Sequence, residues 1–134
     1  VLEMGSGGST IFFADAAGEV VSFETNYTWY KTMQKRVGTS VSLYNPKSLE
    51  QLERLLRGSD KFDILLLDND DFKRTEVASL ILPLAAPKAI FISDNYYLPD
   101  NIVREFTVPT DWKHHDFNDK HWHGCGTRIS TRGF

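Results

Sequence analysis

Phe62-Asp63-Ile64-Leu65-Leu66-Leu67-Asp68-Asn69-Asp70-Asp71 is the stretch on which the fold turns. A continuous apolar run, in place of strict alternation, marks a strand buried on both faces, as in a parallel sheet. The run stops in a cluster of acidic and amide side chains. The strand is therefore expected to deliver Asp68 to the carboxyl edge of the sheet, where parallel α/β folds gather their functional groups.

Toward the C-terminus, a helix is expected over residues 74–84, ended by Pro83 and Pro87. Lys88-Ala89-Ile90-Phe91-Ile92-Ser93 reads as a further buried strand, giving way to Asp94-Asn95. Residues 99–106 read as a short helix or turn, and Thr107-Val108 as the start of a fifth strand before Pro109. Toward the N-terminus, Ser48 with Gln51 three residues on makes a capping box for a helix carrying Leu49, Leu52, Leu55 and Leu56 and ending near Gly58. Residues 39–44 are rich in β-formers and read as a strand. Val20, Phe23, Tyr27, Tyr30, Met33 and Val37 recur at helical spacing, so residues 19–36 read as one helix with Gly38 just beyond it. Thr10-Ile11-Phe12-Phe13-Ala14 reads as the first strand, ending at Asp15. The glycine- and serine-rich residues 4–9 read as a flexible linker, so residues 1–9 are set aside from the fold.

The alternation of strands and helices predicts a flavodoxin-like three-layer α/β sandwich over residues 10–109, with a parallel sheet of about five strands. Residues 110–134 hold all four histidines, two of the three tryptophans and the single cysteine, without periodicity. The last helix is accordingly expected to be atypical or missing. A sheet face left bare by its absence would favour a homodimer or a domain swap.

Bulk properties narrow the function classes. The chain has 134 residues, 41% hydrophobic and 25% charged, with a net charge of −3. That is ordinary for a globular domain and carries no basic signature of a nucleic-acid partner. No apolar run approaches a membrane span, the longest (residues 80–86) being broken by Pro83. One cysteine permits no internal disulfide, which suits a cytoplasmic setting.

Asp15, Asp68 and Ser93 close three of the expected strands and would share one edge of the sheet. Two nearby carboxylates suit Mg²⁺, a hard cation that prefers oxygen ligands. A carboxylate so placed is also a nucleophile toward phosphorus. With these residues the chain resembles the receiver domains of two-component response regulators. Asp63-Ile64-Leu65-Leu66-Leu67-Asp68 is similar to the family's D-x-x-L-L-D, and Ser93 and Asp15 fall at two further motif positions. The resemblance implies Asp68 as phosphoacceptor, Ser93 as phosphate or switch residue, and Asp15, Asp68 and Asp70 as Mg²⁺ ligands.

Three departures point the other way. The family's second acidic residue falls on Ala16, its strand-five lysine on Val108, and the small residue after the Ser/Thr on Asp94. Each weakens Mg²⁺-assisted phosphorylation, and the missing lysine leaves Asp68 without its counter-charge. Glu19 or Asp70 as metal ligand and Lys113 as the lysine are the available substitutes.

The expected function is therefore a degenerate receiver: a non-enzymatic protein-interaction domain of a hybrid sensor kinase or response regulator. It would need no cofactor, and its partner would be a histidine kinase or the rest of its own chain. The alternative is a working receiver that takes phosphate from a histidine kinase on Asp68 with Mg²⁺. A flavodoxin-like enzyme or ligand-binding domain ranks below both, because no glycine-rich phosphate loop is read in the domain. His121, His123 and Cys125 would share one face of an extended segment, yet their spacing fits no common zinc pattern.

Overall fold

The computed structural model describes residues 1–95, 108, 109, 111–117 and 126–134. The expected helix over 99–106, Thr107 of the expected fifth strand, and His121, His123 and Cys125 lie outside the described residues. Seven strands form one sheet: β1 (Leu2–Met4), β2 (Val20–Phe23), β3 (Val41–Tyr44), β4 (Phe62–Leu67), β5 (Ala85–Ser93), β6 (Lys113–Phe117) and β7 (Thr127–Arg132). Their spatial order is β3-β2-β1-β4-β5-β7-β6. The first five are parallel; β7 runs antiparallel to β5 and β6 antiparallel to β7. The helices are α1 (Gly8–Ala16), α2 (Tyr27–Gln34), α3 (Leu49–Leu56) and α4 (Arg74–Ile81), the last running into a 3₁₀ turn at Leu82–Leu84.

This is a mostly parallel α/β sheet, as expected, but not a five-stranded flavodoxin-like one. Its 3-2-1-4-5 run is the order of the doubly wound nucleotide-binding folds. The difference begins at residues 1–9, which are no linker. Leu2–Met4 is the middle one of the five parallel strands, hydrogen-bonded to β2 on one side and β4 on the other, and Leu2, Glu3 and Met4 are all buried. Thr10-Ile11-Phe12-Phe13-Ala14, expected as a strand, is the middle of α1. A five-residue apolar run has no period of its own, and a right-handed crossover from β1 to the parallel β2 requires a helix there.

The expected helix over residues 19–36 divides into β2 and α2. Asn26 makes the break, its Oδ1 capping α2 by accepting the Trp29 N–H at 3.0 Å. The helix over 49–56 and the strand over 62–67 lie where they were read, with Ser48 Oγ accepting from the Gln51 N–H. Residues 113–117 and 127–132 extend the same sheet as an antiparallel pair.

Side chains alternate across the sheet. Leu2, Met4, Phe23, Leu65, Leu67 and Phe91 pack with Leu52 and Leu56 of α3 and Val77, Ala78 and Ile81 of α4. Val20 and Leu66 pack on the other face, against Phe13 of α1. Each fully buried leucine removes enough apolar surface from water to contribute about 1.5–3 kcal/mol. Among the described residues no helix is long and apolar enough to cross a membrane.

Candidate functional site: a glycine loop over an acidic cleft

Three strands release the chain at one edge and tie it there. The Gly5 N–H donates to Phe23 O at 2.8 Å, the Asp68 N–H to Met4 O at 2.8 Å, and the Asp94 N–H to Leu67 O at 3.1 Å. β1 is where the strand order turns, since its neighbours are β2 and β4. Crevices at such a switch point are where doubly wound sheets bind ligands. Gly5 is required there: its φ is +96°, and a Cβ would collide with the carbonyl oxygen of Asp68.

The residues after Gly5 are held by groups far along the chain. Glu24, just past β2, takes the Ser6 N–H (3.1 Å) and hydroxyl (3.0 Å) on Oε2 and the Asn26 N–H (2.8 Å) on Oε1. Trp29 Nε1–H donates to Ser6 O at 2.7 Å. Beneath the loop, the fully buried Glu3 carboxylate accepts from the hydroxyls of Ser9 (2.5 Å), Thr10 (2.5 Å) and Ser22 (2.6 Å). Burial pushes the Glu3 carboxyl above its usual range, and the three hydroxyls pull the other way. Thr10 Oγ1 also accepts the Gly7 N–H, so Glu3 fixes the start of α1 to the sheet.

At the end of β4 the buried Arg74 supplies a cation. Its Nε donates to Asn69 O at 2.9 Å, Nη1 to Asp94 O, and Nη2 lies 3.4 Å from Asp68 Oδ1. Asp68 is pushed up to about 6, first by burial and then by the charge of Asp94, with Arg74 opposing both. The expectation that Asp68 lacks a counter-charge is corrected: the guanidinium arrives from α4, not from strand five. Asn69 is 3% exposed. Its Nδ2 donates to Phe72 O at 2.7 Å, and its Oδ1 has no partner among the described residues. A buried acceptor left unpaired costs about 1–3 kcal/mol.

These residues enclose a cleft of about 460 Å³ lined by Gly5, Ser6, Glu24, Thr25, Asn26, Trp29, Asp68, Asn69, Asp70, Asp71, Asp94 and Asn95. Five of the lining side chains are carboxylates, and among the described residues none is a lysine, arginine or histidine.

Of the residues read as a site, the cleft unites Asp68 and Asp70. Asp70 is exposed, with Arg74 Nη2 3.8 Å from its Oδ1. Asp15 is not among them: it is an exposed residue near the end of α1, which runs away from the cleft edge. Ser93 Oγ is buried at the end of β5 without a partner among the described residues and does not line the cleft. Among the described residues no three His, Cys, Asp or Glu converge as a metal site, and Glu19 and Lys113 stand apart from the cleft. Glu24, Ser6, Trp29, Asn69 and Arg74 were not read as site residues. The signal for the first is present in the sequence: a glycine turn after a short strand, with an acid some 20 residues on, is the spacing of nucleotide-binding folds.

No protein-family model and no curated protein matches the chain. Solved structures do. The O-methyltransferase TomG from Streptomyces achromogenes, in complex with SAM, matches over 98% of this chain and 71% of its own, at 21% identity and TM-score 0.78. The O-methyltransferase from Bacillus cereus, in complex with SAH, matches over 98% and 72%, at 19% identity and TM-score 0.78. An rRNA methylase from Streptococcus thermophilus matches over 98% and 85%, at 13% identity and TM-score 0.76.

The chain has a methyltransferase fold. This corrects the resemblance to receiver domains and the two-component signalling function drawn from it. In this fold the first acidic motif position of the receiver, matched to Asp15, does not exist at a strand end. The readings as a non-enzyme and as a domain with no cofactor or only Mg²⁺ rested on that resemblance. They are corrected with it, since the neighbours are methyltransferases, two of them solved with SAM or SAH.

Proposed function

We propose that the chain binds S-adenosylmethionine in the cleft beside the Gly5 loop and transfers its methyl group to a nucleophile. The observation that carries this reading is the lining: a glycine turn at the switch point, opening onto five carboxylates with no basic side chain among the described residues. The same turn in a dinucleotide-binding domain must admit a pyrophosphate, and five carboxylates would repel one. A ligand carrying a nucleoside with a sulfonium and an ammonium group fits that field. When bound, S-adenosylmethionine supplies an electrophilic methyl group on a sulfonium.

The residues present fit such a ligand. Gly5 lets β1 turn against the Asp68 carbonyl, which a Cβ would strike, and so shapes the edge of the cleft. Glu24 stands at the end of β2, the position from which an acid holds ribose hydroxyls in nucleotide-binding folds. Three of its roughly four acceptor sites are taken by Ser6 and Asn26, which leaves one for a ribose hydroxyl. Asp68 and Asp94 supply negative charge for the cationic end. Methyl transfer asks little covalent chemistry of a protein, so catalysis rests on holding donor and acceptor in line. The neighbours include both O-methyltransferases and an rRNA methylase, so the acceptor is assigned only as a nucleophile.

A thermal-shift panel of S-adenosylmethionine, S-adenosylhomocysteine, ATP and NAD⁺ tests the reading. The two thioether- and sulfonium-bearing nucleosides are expected to raise Tm and the phosphate-bearing ones to leave it unchanged. Stabilisation by NAD⁺ or ATP alone would overturn it.

A further inference from the structure

A second cavity opens beside the acidic cleft and shares part of its wall. It measures about 430 Å³ and lies between α1 and the carboxyl edge of β4 and β5. Phe12 and Phe13 line it from the helix and Leu66 and Ile92 from the sheet, while Asp68 and Asp94 line both this cavity and the cleft. Phe12 is 65% exposed and meets Phe13 edge to face, ring centroids 5.4 Å apart. Apolar walls converging on a few polar groups are the usual make-up of a small-molecule site.

Hydrogen bonding limits what can occupy it. The side-chain hydroxyls on its wall are committed: Ser9 donates to Glu3 at 2.5 Å and Thr127 to Asp94 Oδ1 at 2.5 Å. The Asp68 side chain is 41% exposed and, among the described residues, is hydrogen-bonded only by Arg74, at Oδ1. The side chains of the wall therefore offer hydrogen-bond acceptors, and an occupant has to bring the proton. Gly8 and Ser9 also place the first turn of α1 there. Its dipole is worth about half a positive charge, less than the two carboxylates opposing it, so an anion is repelled.

The geometry points to this cavity as the methyl-acceptor pocket, taking an uncharged molecule with an apolar body and a hydroxyl that donates to Asp68. The inference rests on the cofactor reading above. Because Asp68 borders both cavities, a hydroxyl held on it stands beside the cationic end of the bound cofactor. A hydroxyl gives its proton to a hydrogen bond and keeps lone pairs for attack, whereas a protonated amine has none free. The rings of Phe12 and Phe13 and the aliphatic side chains of the sheet hold the body by burying it.

The test is fluorescence titration of the full chain at pH 7–8 with 2-naphthol, an apolar hydroxyl compound, and 2-naphthoate, its anionic counterpart. Each is titrated with and without saturating S-adenosylhomocysteine. 2-Naphthol is expected to bind saturably in both states, forming a ternary complex in the second. 2-Naphthoate should bind at least about fivefold more weakly. Asp94→Asn, which keeps an acceptor for Thr127, should narrow that gap. Phe12→Ala should weaken 2-naphthol binding about fivefold or more, with S-adenosylhomocysteine affinity held within about twofold, and Phe12→Leu should restore most of the loss.

Equal binding of the two probes, exclusion of 2-naphthol by S-adenosylhomocysteine, or unchanged 2-naphthol affinity in Phe12→Ala would each overturn the inference. So would sedimentation showing a dimer that 2-naphthol dissociates, which assigns the cavity to a second copy of the chain. Should Phe12→Ala not fold, the two probes and Asp94→Asn decide alone. If S-adenosylhomocysteine itself does not bind, the cofactor reading fails and the acceptor role with it, an outcome distinct from competition between the two ligands.

Discussion

Gly5 and Asp68 meet where β1 and β4 leave the sheet, and a single methyl group separates a loop that fits from one that does not. Gly5→Ala would place a Cβ against the Asp68 carbonyl at a φ of +96°. The expected cost is about 1–3 kcal/mol of stability, with a larger proportional loss of ligand binding, checked by urea melts and titration. Asp68 makes a second prediction at this scale. Its carboxyl is raised from 3.8 to about 6 in the fold, so the protonated form is the favoured one. Its contribution to stability is fully present below pH 3.8 and lost as pH rises through about 6. Asp68→Asn should therefore raise Tm at pH 7–8 and leave it nearly unchanged below pH 4, measured in thermal melts. A cationic ligand prefers the ionised carboxylate, so S-adenosylmethionine affinity should rise between pH 5 and 7. Asp68→Asn should flatten that rise.

At the scale of elements, the tie between β1 and α1 runs through one side chain. Glu3→Ala removes the acceptor of three hydroxyls, those of Thr10 and Ser22 buried and that of Ser9 half-buried, and leaves a void. The expected loss is about 3–5 kcal/mol, read from the midpoint of denaturant unfolding. Glu3→Gln, which keeps the shape, should lose less. Elements whose signal is local were legible in the sequence: β4 from its unbroken apolar run, α3 from Ser48, Gln51 and its leucines. Residues 10–14 were not, because what makes them helical is the crossover from a strand at residues 2–4. That strand is three residues long, carries a buried Glu, and runs into glycines that resemble a linker. Val20 and Phe23 sit three apart and so mimic a helical stripe; only the Asn26 cap marks the break. Asp68 was legible as a strand-end residue, whereas Arg74 and Asn69 gain their roles from tertiary contacts that no spacing records.

For the whole molecule, the cleft's field is the dominant property. The chain carries a net charge of only −3, yet five carboxylates converge on one crevice. Binding of the net-cationic S-adenosylmethionine should weaken as salt rises from 50 to 500 mM, while the net-neutral S-adenosylhomocysteine should respond less. The most direct measurement is calorimetric titration of the full chain with S-adenosylmethionine, in parallel with Gly5→Val. A saturable one-to-one isotherm is expected for wild type and is expected to be lost in the folded Gly5→Val protein. A flat isotherm for wild type, or undiminished binding by Gly5→Val, would contradict the cofactor reading.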